Sequence, residues 1–231
     1  MRKNILASIL IFLALGAVLG VEQYKKNQKP NDGQAQVLAD VDRHLPAGQQ
    51  KIYTDKIAKA KDYLNSLNRK QANYQDEQFN AYVYIGQQYF GLGKLGQAKE
   101  YFDKALSLRP KDEQAVVGLV NVFQEVGRVS AALELLKNAL DINPKNYALW
   151  LRYIELRENS GAAIQEVDQL YQQALDKTEN YTDIVTKYAE FQERQGNLNA
   201  AIKLWQQAAV QYPQSAALYQ SEIRRLEQLQ K

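Results

Sequence analysis

The 231-residue chain contains no cysteine, one histidine, one methionine and two tryptophans. Without cysteine it has no disulfide, thiol nucleophile, iron–sulfur cluster or Cys-ligated zinc. The lone histidine, His44, lies in a polar stretch with no second histidine and no patterned carboxylates around it. It therefore offers neither a zinc site nor a catalytic pair. The chain also lacks a G-x-S-x-G elbow, a phosphate-binding P-loop, an H-E-x-x-H motif and a dinucleotide glycine fingerprint. Gly91-Leu-Gly-Lys-Leu-Gly96 is glycine-rich, but it interrupts a helical pattern instead of following a strand, so it reads as a turn. These absences point to a non-enzymatic protein with no cofactor, no metal and no small-molecule substrate.

Charge is unevenly placed. Residues 1–30 hold Arg2, Lys3, Lys25, Lys26 and Lys29 against Glu22 alone, a balance of +4, so the rest of the chain stands at −1 within a net charge of +3. The basic character belongs to the N-terminal segment, and no nucleic-acid surface is expected on the remainder. Tyrosine is abundant, 15 residues against six phenylalanines. That bias suits half-buried positions, where the ring packs and the hydroxyl stays wet.

Met1-Arg-Lys-Asn precedes 17 residues without a charge, Ile5 to Val21. A spanning helix needs about 20 apolar residues, with about 17 at the low end, and a secretory signal has a shorter apolar stretch behind a basic start. Residues 1–21 are thus expected to be a transmembrane anchor or a signal peptide. A basic start before a single span favours export of the downstream chain. The expected localisation is a single-pass membrane protein with an extracytoplasmic folded domain, or a secreted protein after cleavage. Residues 22–50, with Pro30, Gly33, Pro46 and Gly48, read as a polar linker, with a short turn near Val37–Leu38. Over residues 51–78 a spacer helix is expected, with Ile52, Ile57, Ala60, Leu64 and Leu67 on one face. It caps the adjoining C-terminal domain, or lies as a basic helix on a membrane surface.

From Phe79 onward the chain repeats. Pro110 and Pro144 are 34 residues apart, and Pro213 comes 69 later, one period of 34 and one of 35. In the first unit Tyr82, Ile85, Gly86 and Tyr89 precede Gly93, Ala98, Phe102, Ala105 and Pro110. The second has Val116, Leu119, Val120 and Phe123, then Gly127, Ala132, Leu136, Ala139 and Pro144. The third has Trp150, Tyr153, Ile154, Gly161, Tyr171 and Ala174, with one extra residue after Gly161 and no terminal proline. The fourth has Val185, Tyr188, Ala189, Gly196, Ala201, Trp205, Ala208 and Pro213.

This pattern resembles the tetratricopeptide repeat family. The resemblance covers about four units over residues 79–214, with residues 215–231 as a C-terminal capping helix. It implies an all-α fold: a right-handed superhelical solenoid of antiparallel helix pairs, preceded by the N-terminal transmembrane or signal helix. Trp150-Leu-Arg-Tyr153-Ile-Glu155 and Tyr188-Ala-Glu-Phe191 also resemble half-a-TPR repeats of RNA-processing scaffolds.

The family binds ligands on a concave face lined by the first helix of each unit. Here that implies a peptide-binding groove at Asn80, Val83, Tyr84, Gln87, Phe90, Val117, Asn121, Arg152, Glu155, Lys187 and Glu190. Tyr84 and Phe90 would be anchors, and the charges would set register. The clamp that grips chaperone C-termini is not matched, since only Arg152 fits it. The expected function is a membrane-tethered scaffold or adaptor that binds a partner protein or peptide, in envelope assembly or secretion. One alternative is a cytoplasmic-side or soluble scaffold contacting an RNA-processing assembly. Another, of a different class, is a hydrolase using Glu155, Glu158, Glu190 and Glu193 as groove carboxylates.

Overall fold

The computed structural model describes residues 38–231. The anchor or signal expected at residues 1–21, and most of the linker after it, lie outside the described residues. Among those described, the secondary structure is ten α-helices and one 3-10 turn. No helix among them is long and apolar enough to cross a membrane. The described residues divide into two compact units, the first ending at Ile142 and the second running from Asn143 to Lys231.

The first unit contains α1 (Ala47–Ser66), α2 (Tyr74–Gly91), α3 (Leu95–Leu108), α4 (Glu113–Glu125) and α5 (Val129–Ile142). Sequence neighbours pack on one another, and α2 also touches α4. The unit is organised around Phe102, which is 1% exposed. Its ring lies between two glycines on different helices. A Cβ at Gly86 on α2 would meet the ring at 3.0 Å, and one at Gly118 on α4 at 2.3 Å. Gly118 lies on the first helix of the next pair, two positions before Val120, the register equivalent of Gly86, and the two glycines together make a slot one aromatic ring wide.

The face of α1 differs from the expected one. Its start is Ala47, and Ile57 is its buried residue, with Ala60 and Leu64 half-buried. Ile52, placed on this face from its spacing, is 54% exposed. Tyr53 takes that place, and its ring covers Gly91, where a Cβ would lie 2.6 Å away. Each residue advances about 100° around a helix, so a one-residue change of phase moves a side chain off the contact. Lys61 also lies on this face. Its ammonium donates to the Tyr89 hydroxyl at 2.7 Å and sits 5.2 Å from that ring's centre. The hydrogen bond to Tyr89 holds the Lys61 pKa above its ordinary value.

The second unit contains α6 (Tyr147–Asn159), α7 (Ile164–Lys177), α8 (Thr182–Arg194), α9 (Leu198–Gln211), a 3-10 turn (Pro213–Ser215) and α10 (Ala216–Leu229). Trp205, Ala201, Tyr219, Ile223 and Leu226 form one buried cluster that joins α9 to α10. The extra residue after Gly161 appears as a longer turn: residues 160–163 separate α6 from α7, against residues 92–94 between α2 and α3. The missing proline is replaced by backbone geometry. Glu179 and Asn180 take φ of 55° and 59°, the left-handed region, in the turn between α7 and α8.

Punctuation explains the helix boundaries. Gly93, Gly127, Gly161 and Gly196 all have positive φ, between 72° and 83°, in the turns inside the pairs. Asp112 and Asn146 cap the helices that come after Pro110 and Pro144. Their side chains accept from the amides of Ala115 (3.1 Å) and Leu149 (2.9 Å), satisfying donors that a helix start leaves free.

Candidate functional site

In the first unit the groove residues of α2 separate into three kinds. Asn80, Tyr84 and Gln87 are exposed, and at helical spacing they form one strip. Tyr84 is 41% exposed, large for an aromatic residue. Among the described residues no side-chain hydrogen bond or ion pair engages these three. Val83 is a correction. It is 4% exposed, because α2 is contacted by α1, α3 and α4 and little of its circumference stays open. Phe90 is half-buried, and the guanidinium of Arg43 lies 5.1 Å from its ring centre. On α4, Val117 and Asn121 are half-buried.

Arg43 belongs to a feature that reasoning from the sequence missed. Residues 38–46 are not a free linker. They run without regular structure across the α2–α3 turn as a strap. Leu38 is buried. Val41 donates its amide to the Gly93 carbonyl at 2.8 Å, and Asp40 pairs with Lys94 at 2.8 Å. Arg43 pairs with Glu125, at the end of α4, at 2.9 Å. Gly93 is essential twice over. Its φ is positive, and a Cβ there would sit 1.9 Å from the Val41 carbonyl oxygen. The hint in the sequence was Leu38, an apolar residue in a polar stretch. His44, by contrast, is exposed, as a solvated linker residue should be.

In the second unit the predicted charged residues are brought together, but with one another. Arg152 donates to Glu155 at 2.9 Å, and Lys187 to Glu190 at 2.8 Å. Between helices, Arg194 of α8 pairs with Glu158 of α6 at 2.8 Å. Arg225 of α10 makes a two-pronged contact with Glu193 of α8, at 2.8 and 2.7 Å, and bonds Glu222 as well. The hydrogen bonds from Arg225 hold the Glu193 carboxyl below the usual range. A general acid needs the opposite shift. These carboxylates pair with cations that belong to the fold, in the arrangement of a structural ladder.

The interior of this unit is also polar in one place. Asp168 of α7 accepts from the Tyr188 hydroxyl at 2.7 Å and from Gln192 at 2.5 Å, both on α8. Tyr188 stacks on Tyr171 with ring centres 5.0 Å apart. Burial pushes the Tyr171 hydroxyl up to about 12, and burial followed by the bond to Asp168 raises that of Tyr188. No group of three or more potential metal ligands occurs among the described residues.

Residues 79–112 and 117–182 match models of the tetratricopeptide repeat. Over these two stretches the chain carries tetratricopeptide repeats. Its repeats are 32% identical over 149 residues to mouse interferon-induced protein with tetratricopeptide repeats 3, covering 60% of this chain and 36% of that protein. They are 29% identical over 130 residues to human interferon-induced protein with tetratricopeptide repeats 2, covering 53% of this chain and 27% of that protein. The chain thus spans about a third of the length of these curated relatives. The crystal structure of MamA aligns with 75% of this chain and 98% of its own, at 15% identity and a TM-score of 0.50. That likeness shows the fold, an all-helical tetratricopeptide-repeat solenoid. Such repeats typically form non-enzymatic scaffolds and generally mediate protein–protein interactions.

Proposed function

We propose that this protein is a membrane-tethered adaptor whose first repeat docks an extended segment of a partner protein on the exposed face of α2. The observation that carries this reading is the contrast between Asn80, Tyr84 and Gln87, whose side chains make no hydrogen bond or ion pair among the described residues, and the groove charges of the second unit, which are paired. Two side-chain amides next to an exposed tyrosine fit a peptide backbone. The amides bond it, and the ring buries apolar surface at small entropic cost. The paired charges of the second unit have less to give, because a ligand would first have to break contacts already made. The tether rests on the uncharged run Ile5–Val21 with basic residues on both sides.

A photo-crosslinking amino acid at position 84 tests the docking face in intact cells, with position 210 of the second unit as control, since Val210 is 83% exposed. A discrete crosslinked product at 84, absent at 210 and lost when Asn80 and Gln87 are both changed to Ala, is expected. Equal products at 84 and 210 would overturn the reading. A reporter fused to the C-terminus tests the tether, and activity of a cytoplasm-dependent reporter would contradict an extracytoplasmic domain.

A further inference from the structure

The strap of residues 38–46 places a cation where a ligand would be expected. Arg43 comes from a segment without regular structure and meets groups from two helices. Its guanidinium lies 5.1 Å from the Phe90 ring centre, one nitrogen approaches the Phe90 carbonyl at 3.5 Å, and another bonds Glu125 at 2.9 Å. Phe90 ends the exposed face of α2, and Glu125 ends α4. The Arg43 and Glu125 side chains are about three-quarters buried, at 26% and 30% exposed. An aromatic face beside a carboxylate and a carbonyl is a site for a planar cation, since the guanidinium stacks on the ring and bonds both acceptors.

We propose that Phe90 and Glu125 form an arginine-reading subsite, that the strap fills it as an intramolecular ligand, and that the partner's docking segment carries a basic side chain that displaces Arg43. This rests on the reading of α2 as the docking face, and it adds the chemistry of the partner. Charge complementarity selects the occupant. Removing the strap leaves Glu125 beside an uncovered ring, and only another cation restores both contacts. An arginine delivered by an extended peptide lying along Gln87 and Tyr84 exchanges like for like.

The ties that hold the strap are few enough to release. Among the described residues the polar ties to the α2–α3 turn, besides Arg43, are the Val41 amide on Gly93 and the Asp40–Lys94 pair, which is about half exposed at both ends, and the apolar ones are the buried Leu38 and the half-buried Val41 and Leu45 side chains. Covalent attachment gives the strap a high effective concentration, so a partner must bind elsewhere on the face as well to win. The subsite then acts as a gate. A segment that lacks the basic residue, or that fails to engage Tyr84, leaves the strap in place.

The test uses the full chain and a labelled peptide of strap sequence, Leu-Ala-Asp-Val-Asp-Arg-His-Leu-Pro, monitored by fluorescence anisotropy. The strap-released variant Asp40→Ala/Arg43→Ala is expected to bind it at least about fivefold more tightly than wild type. Changing the peptide's arginine to glutamine, or adding Glu125→Gln to the variant, is expected to remove that gain. Equal binding by wild type and the released variant, or by the arginine and glutamine peptides, overturns the subsite and leaves the strap a fixed clamp. None of these changes touches Asn80, Tyr84 or Gln87, so crosslinking at position 84 reports on the docking face separately. Crosslinking retained with no peptide binding overturns the subsite alone, and crosslinking lost in wild type overturns the docking face itself.

Discussion

The two units build the same helix pair and give their first helices opposite surfaces. In the first unit α2 presents neutral, unengaged side chains, and its interior is closed by one phenylalanine between two glycines. In the second unit α6, α8 and α10 are tied by ion pairs, and the interior between α7 and α8 holds an Asp168–Tyr188–Gln192 network. The difference teaches where a repeat scaffold keeps its binding capacity. Groups that already satisfy one another stabilise the array, whereas unsatisfied ones on a well-packed helix remain available. Both tryptophans, Trp150 and Trp205, lie in the second unit, so tryptophan fluorescence reports on that unit alone.

The contrast breaks most severely at Phe102. Phe102→Ala empties the slot between Gly86 and Gly118 and is expected to cost about 3–5 kcal/mol. Chemical denaturation monitored by circular dichroism should show that loss, and the tryptophan signal of the second unit should move less than the helical signal. A next, smaller effect separates the turns. Gly127→Ala forces a side chain into the left-handed region, which costs about 1–2 kcal/mol. Gly93→Ala is expected to cost more, because its Cβ also collides with the strap carbonyl of Val41. Hydrogen exchange at residues 38–46 should rise in Gly93→Ala and stay unchanged in Gly127→Ala.

These positions also show how far the sequence could be read. The period and the turns were legible because proline and positive-φ glycine are fixed by backbone sterics, which act locally. The α2 strip came from the register of the repeat. Three things were not legible. The phase of α1, Tyr53 in place of Ile52, depends on where the helix starts and on a glycine 38 positions away. The need for a glycine at 118 depends on a ring from another helix. The strap has no periodicity at all, since single side chains and one backbone bond tied to distant groups hold it. The burial of Val83 belongs with these, because three neighbouring helices decide it.

The ion-pair ladder gives the smaller effects. Arg225 lowers the Glu193 pKa from its ordinary 4.5. A carboxyl whose folded pKa is depressed adds stability above its unfolded pKa and loses it as pH falls through the folded value. The urea midpoint reported by tryptophan fluorescence should therefore fall as pH drops below about 4.5, and fall less in Arg225→Gln. Arg194→Ala removes a half-exposed pair with Glu158 and is expected to cost about 0.2–1 kcal/mol.

Tyr84 is the decisive residue, because an exposed side chain with no hydrogen bond or ring contact among the described residues should matter chiefly for binding. Tyr84→Ala is expected to leave the denaturation midpoint within about 0.5 kcal/mol of wild type. Quantified in the same cells by crosslinking from an adjacent position on the face, such as 80, its partner adduct should fall at least about tenfold, the effect of losing a buried aromatic anchor. An undiminished adduct with unchanged stability would contradict the assignment of α2 as the docking face.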